Sequence, residues 1–203
     1  AGDWQLSDGT RLSIGSTSSN KLSSNGFEKI NFNQNFIKTP AVLTQVQTFN
    51  GGDWVTTRTN DINSKSFFLT MQEEEKLNGG GHATEKLGWV AIDTGVSNDG
   101  KTTIEGGISK EIFNDLMQSQ SYKHSFRNNP SLLAKISSFN GADTTNFQIS
   151  ESNSSSFSGK ALEETSKDKE IKHTEENVSY LVLDSENGTL MGRGLTSKSS
   201  QKT

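Results

Sequence analysis

Ala41-Val42-Leu43-Thr44-Gln45-Val46-Gln47-Thr48-Phe49-Asn50-Gly51 returns ninety positions later as Ser131-Leu132-Leu133-Ala134-Lys135-Ile136-Ser137-Ser138-Phe139-Asn140-Gly141. Working outward at the same offset, Phe36 meets Phe126, Pro40 meets Pro130, Asp53 meets Asp143 and Phe67 meets Phe157. Glu73-Glu74 falls on Glu163-Glu164. One inserted residue then makes the offset 91, and His82 matches His173, Glu85 matches Glu176, and Trp89 matches Tyr180. Val90-Ala91-Ile92-Asp93 matches Leu181-Val182-Leu183-Asp184. The chain is two copies of one unit of about ninety residues, and a repeat of this kind decides architecture before any local motif does.

Turn pairs mark the edges of the copies. Asp8-Gly9-Thr10 and Asp99-Gly100-Lys101 open the two units, and Asn187-Gly188-Thr189 follows the second. Each introduces a short segment ending in glycine, Leu12 to Gly15, Ile104 to Gly107 and Leu190 to Gly194. The expected organisation is a first repeat over residues 1–95 and a second over 96–186. Residues 187–203 then form an edge strand, or the start of a further repeat, with a polar tail.

Within each copy the patterns are those of strands. Ala41 to Phe49 passes from an apolar run into alternation; Trp54 to Thr59, Ser66 to Met71 and Leu87 to Ile92 are rich in β-branched and aromatic residues. Asn-Gly, Gly-Gly and Asn-Asp pairs separate them at sandwich spacing. Pro40 and Pro130 lack an amide donor and should begin strands or lie on edges. One helix is expected, over Ser109 to Gln118, where Ile112, Leu116 and Met117 share a face behind a Ser109 cap. Its counterpart around Ser18 to Asn25 reads as loop. The fold class is all-β: two tandem small antiparallel β-sandwiches.

Composition narrows the function. Lys plus Arg number 20 against 24 Asp plus Glu, a net charge of −4, without the basic surface that displaces counterions from nucleic acid. Cysteine is absent, which removes disulfides, thiolate metal cages and thiol nucleophiles. No apolar run approaches the roughly 20 residues of a membrane-spanning helix. No nucleophile elbow, phosphate loop or paired-histidine metal motif occurs, and no enzymatic activity is expected. The polar, Thr-, Asn- and Gly-rich character fits an extracellular or cell-surface protein.

Phe32 with Phe36, Pro40-Ala41-Val42-Leu43, Arg58, Phe67 and Trp89-Val90-Ala91-Ile92 resemble the H-type lectin domain, over Gly26 to Asp93 and more weakly Ser119 to Asp184. That resemblance implies a six-stranded antiparallel sandwich, assembled as a trimer, that binds N-acetylgalactosamine-type sugars. The acidic-then-His signature is closer to bacterial relatives repeated in large surface-exposed or secreted proteins. The family's sugar-contacting arginine corresponds to Arg58, whereas its Trp-His pair falls on Glu74 and Glu75. In the second copy these positions hold Gln148 and Glu164-Thr165. The fold carries over; the sugar specificity does not.

The chemistry-bearing residues cluster twice. In the first copy they are Asp53, Trp54, Arg58, Glu73, Glu74, His82 and Glu85; in the second, Asp143, Glu163, Glu164, His173 and Glu176. A hairpin across the glycine-rich turn would bring Glu73 or Glu75 near His82 and Glu85. Three uses are open. The carboxylates and imidazole can hydrogen-bond sugar hydroxyls, can supply oxygens to Ca²⁺, or can pair with Lys76, Lys86 and Lys172 in a cross-strand ladder. Trp89 reads as core and Trp54 as an exposed platform for a sugar ring or for another subunit. The leading expectation is a non-enzymatic, lectin-like adhesion module binding glycans or polysaccharide through weak multivalent sites. Such a module works as a homo-oligomer (trimer or fibre), without cofactor or with calcium, and without nucleic-acid binding or membrane insertion. The alternative is a structural repeat of an extracellular adhesin, sheath or filament joined by edge-strand contacts.

Overall fold

The computed structural model describes residues 1–77, 79–127, 129–185 and 192–196. Two tandem antiparallel sandwiches account for nearly all of them. In the first repeat, one sheet orders β1 (Gly2–Leu6), β2 (Arg11–Ser19), β7 (Glu85–Ile92) and β4 (Ala41–Val46). The facing sheet orders β3 (Glu28–Asn31), β6 (Ser66–Glu73) and β5 (Val55–Asn60). The second repeat copies both. Its larger sheet runs β8 (Gly95–Asn98), β9 (Thr102–Ile108), β14 (Val178–Ser185) and β11 (Ser131–Ile136), and its smaller sheet β10 (Gln118–Ser121), β13 (Ser156–Glu163) and β12 (Thr145–Ser152). Seven strands per repeat exceed the six implied by the family resemblance. The extra one comes from the opening hairpin, β1 with β2 and β8 with β9.

Register explains the core. Side chains alternate across a strand, so every second residue of the facing sheets points inward. Leu22, Phe32, Phe36, Phe67, Met71, Leu87, Trp89 and Ala91 are buried together in the first repeat. Phe113, Tyr122, Phe126, Phe157, Ala161, Val178, Tyr180 and Val182 occupy the matching places in the second. Trp89 lies across from Gly15, and Tyr180 across from Gly107. A Cβ on either glycine would sit 2.2 Å or 2.0 Å from the ring opposite, so the ring occupies the space a side chain would need. Pro40 and Pro130 each directly precede an edge strand, β4 and β11, where a missing donor costs nothing.

The helix expected over Ser109 to Gln118 is absent. Instead, Phe113 is fully buried and bridges Glu176, while Ala161 donates its amide to the Asn114 carbonyl. Burying the Phe113 ring in the sandwich overrode the helical spacing, and Leu116 and Met117 were left exposed. Ser109 caps no helix; its hydroxyl accepts the Val178 amide. In the first repeat, the stretch read as loop contains the end of β2, an isolated bridge from Leu22 to Met71 and a 3₁₀ turn over Ser23–Asn25.

Of residues 187–203, only the backbone of β15 (Gly192–Thr196) is among the described residues. It pairs antiparallel with β1, Thr196 opposite Asp3 and Gly194 opposite Trp4, and adds a fifth strand to the first repeat's sheet. The remaining positions of that expected segment lie outside the described residues.

The repeats are packed against one another. Leu6, Ala41 and Ile92 of the first join Ile104 of the second in a small shared core, with Leu12, Ile108 and Leu181 around it. The Ser179 hydroxyl receives the Val42 amide across the boundary at 3.2 Å.

Candidate functional site: the acid–imidazole loops and the seam

Each repeat builds the same polar device at the end of its sandwich. In the first, His82 lies between two carboxylates: Nδ1 is 2.8 Å from Glu73 Oε1 and Nε2 is 3.4 Å from Glu85 Oε1. Glu73 ends β6 and Glu85 begins β7, strands of opposite sheets. The expected hairpin is therefore not formed: the connection crosses from one sheet to the other and delivers His82 between them. Lys76, Lys86 and Lys172 are exposed, and among the described residues the charged partners of these buried acids are the imidazoles and Arg58, not a lysine ladder.

Glu85 collects donors from the next loop, the Thr48 hydroxyl and the amides of Asn50 (2.6 Å) and Gly51 (2.9 Å). Burial by itself would raise its pKa, but these hydrogen bonds and His82 bring it down to about 2. The imidazole covers Gly51, where a Cβ would sit 2.4 Å from the ring; only glycine allows that approach. The second repeat repeats every element. His173 is 2.6 Å from Glu163 and 3.2 Å from Glu176. Glu176 accepts from the Ser138 hydroxyl and from the amides of Asn140 and Gly141, and Gly141 lies under the ring. Burial lowers the His173 pKa, but hydrogen bonds to Glu176 and Glu163 prevail and raise it. Glu176 stays ionised well below its ordinary value, because His173 and Arg58 outweigh burial.

Arg58 is the difference. Projecting from β5 of the first repeat, it is fully buried and crosses the boundary. Its Nη2 donates to Glu176 Oε1 at 2.8 Å, and Nη1 to Gln72 Oε1 at 2.8 Å. The guanidinium lies 4.8 Å from the centre of the Phe139 ring, and Phe27 meets the same ring edge-on at 5.2 Å. The aligned arginine is thus enclosed in a seam, with no face open to a sugar. Glu73, His82, Glu85, Glu163, His173 and Glu176 are likewise buried and satisfied by one another.

More cross-repeat hydrogen bonds surround it. Gln72 Nε2 donates to the Ala142 carbonyl, Thr144 Oγ1 to the Glu73 carbonyl, and Thr56 Oγ1 to Asn146 Oδ1. The Glu75 amide donates to Glu164 Oε2 at 2.7 Å, and the Lys76 amide to Ser166 Oγ. Lys135 Nζ donates to Thr56 Oγ1, and burial together with the nearby Arg58 charge brings its pKa down to about 7. Asp143 faces Glu75 across the seam; burial and that contact raise the Glu75 pKa. Lining residues that pattern reading passed over, Gln72, Thr144, Asn146 and Lys135, are ordinary polar strand residues. Only Gln72, directly continuing an apolar run, hinted at burial.

In the first repeat Asp53 and Trp54 remain exposed, and Glu74 is half-buried. Ligand atoms of Asp53, Glu73 and His82 lie within 4.8 Å of one another, a grouping that could hold one cation. Between the repeats, a cleft of about 350 Å³ is lined by Leu43, Gln45, Gln47 and Trp89 from one side and Leu133 and Lys135 from the other.

The chain is 27% identical over 184 residues to halomucin of Haloquadratum walsbyi (strain DSM 16790 / HBSQ001). That match covers 90% of this chain and spans only 2% of halomucin's length. No family model matches the chain, and no solved structure matches it. Among the described residues, no helix is long and apolar enough to cross a membrane.

Proposed function

We propose that this chain is a non-enzymatic structural repeat module of an extracellular or cell-surface protein, in which consecutive sandwiches are locked together by a buried polar seam. The observation that carries this reading is the Arg58–Glu176 pair, fully buried and 2.8 Å long between repeats. A spacer gains from fixed geometry, and a hydrogen-bonded buried ion pair fixes register in a way that apolar contact does not. The acid–imidazole loops supply the rigid socket for that arginine. The likeness to a short part of halomucin supports a place in a large surface protein.

The sequence supplies its own reporters. All three tryptophans, Trp4, Trp54 and Trp89, lie in the first repeat, and both tyrosines, Tyr122 and Tyr180, lie in the second. In urea, tryptophan fluorescence and tyrosine absorbance should change together in one transition. Arg58→Met should separate them. Coincident transitions in Arg58→Met would remove the seam as the coupling device.

A second reading is weak glycan contact through Trp54 and Asp53. It is favoured by an indole 46% exposed beside an exposed carboxylate, on a loop that His82 and Glu85 hold in place. A glycan array in which Trp54→Ala removes a signal without changing unfolding would support it; an empty array would leave the structural reading alone.

A further inference from the structure

The seam joins two different faces. The first repeat contributes a strand face, Phe27, Thr56, Arg58 and Gln72, and the second a loop face around Phe139. Because the sequence is repeated, each copy owns both faces, and one of each is left over. The spare loop face belongs to the first repeat. Phe49, counterpart of the clamped Phe139, is 77% exposed, and Trp54 stands 46% exposed where Thr144 is fully buried. The spare strand face belongs to the second repeat. There Met117 (50% exposed) and Leu162 (43%) replace Phe27 and the buried Gln72, and Gln148 replaces Arg58. On these faces Phe49, Trp54, Met117 and Leu162 are apolar and open, whereas Thr144 and Gln72 at matching positions are fully buried and the Phe27 and Phe139 rings pack on each other.

Two features say what covers them. First, one contact joins a repeat position to itself, Thr56 to Asn146. Arg58 to Glu176 is not matched by a reverse contact, since Gln148 is exposed. A self-contact lies close to the axis of the rotation that relates the copies, and the missing reverse contacts exclude a two-fold. The first repeat therefore meets the second through unlike faces, leaving each with a face for a further neighbour. Second, β15 follows the second repeat and returns to the edge of the first. In sequence, Asn187-Gly188 and Gly194 stand at the spacing of Asp8-Gly9 and Gly15, the pattern that opens the first repeat.

We propose that the Phe49 loop of the first repeat is a docking surface for a third sandwich repeat of this kind, which brings an arginine and an aromatic side chain onto the Phe49 ring. The same repeat covers Met117 and Leu162 with its own loop face. This rests on the structural-repeat reading and names the partner that completes the seam.

The test extends the whole chain. One fusion replaces the tail after Thr196 by a second copy of residues 18–98, which carries the arginine and Phe27 face; another adds residues 110–185, which carries the glutamine face. Amide hydrogen exchange over residues 49–53 should slow by about tenfold or more in the first fusion and less in the second. Phe49→Ala should reverse the protection. Loop amides that exchange as fast in both fusions as in the parent chain would overturn the proposal. If Arg58→Met still uncouples the original two repeats in that case, the structural reading survives and only this inference falls. Protection of the loop by polysaccharide in the parent, with none from either fusion, would overturn it in favour of a glycan surface.

Discussion

Glu85 and Glu176 stand at the same place in two copies of one loop, take the same hydroxyl and amide donors, and touch equivalent imidazoles, yet only Glu176 receives an arginine. The loop is therefore complete without its cation. His82, Gly51 and the Thr48 hydroxyl are enough to keep Glu85 buried and ionised. What Arg58 adds in the second repeat is connection between sandwiches, because its other bonds reach Gln72 on its own side and the Ser138 and Asp143 carbonyls across the boundary. The loop that serves only its own sandwich in the first repeat is a socket for its neighbour's arginine in the second.

That contrast can be broken most strongly at Arg58. Arg58→Met should cost about 3 kcal/mol or more in urea unfolding, since it breaks the buried ion pair to Glu176 and takes the donor from Gln72 and from the Ser138 and Asp143 carbonyls at once. The matching exposed position, Gln148→Met, should stay within about 0.5 kcal/mol. Next come the rings. Phe139→Ala removes the surface that Arg58 and Phe27 pack on and should cost about 2–3 kcal/mol, whereas Phe49→Ala in this chain should be nearly neutral by thermal unfolding.

Acid sharpens the comparison in a different way. A carboxyl whose folded pKa is depressed contributes stability above its unfolded value of 4.5, and loses it as pH falls through the folded value. Stability should therefore drop between pH 4.5 and about 2, and Glu85→Gln should flatten part of that slope in a pH series of melting temperatures. Alkaline pH tests a second group, with the same sign of dependence. Lys135 has a folded pKa of about 7 against an ordinary 10.5, so the unfolded chain binds more protons between those values. Stability should climb from pH 7 to 10.5, and Lys135→Met should abolish that climb and raise the melting temperature at neutral pH.

The sandwich, the doubling and the grouping of Glu73, His82 and Glu85 were all legible in the residues, because repeats and apolar alternation are written locally. Three things were not. Phe113 broke a helical pattern because its burial depended on a sandwich that forms far away in sequence. The path from Glu73 to Glu85 looked like a hairpin because a glycine-rich turn fits a hairpin and a sheet-to-sheet crossing equally well. Arg58 read as a ligand contact because its partner, Glu176, is more than a repeat away; only packing one copy on the other puts them together. Asp53 and Asp143 teach the same lesson, one left exposed and the other drawn toward Glu75 by the neighbouring sandwich.

The most direct measurement is a double-mutant cycle on Arg58→Met and Glu176→Gln, with urea unfolding followed by tryptophan fluorescence and tyrosine absorbance. The account predicts a coupling energy of about 2 kcal/mol or more, with one shared transition in the unmodified chain. A coupling near zero, with the two repeats already melting apart in that chain, would contradict it.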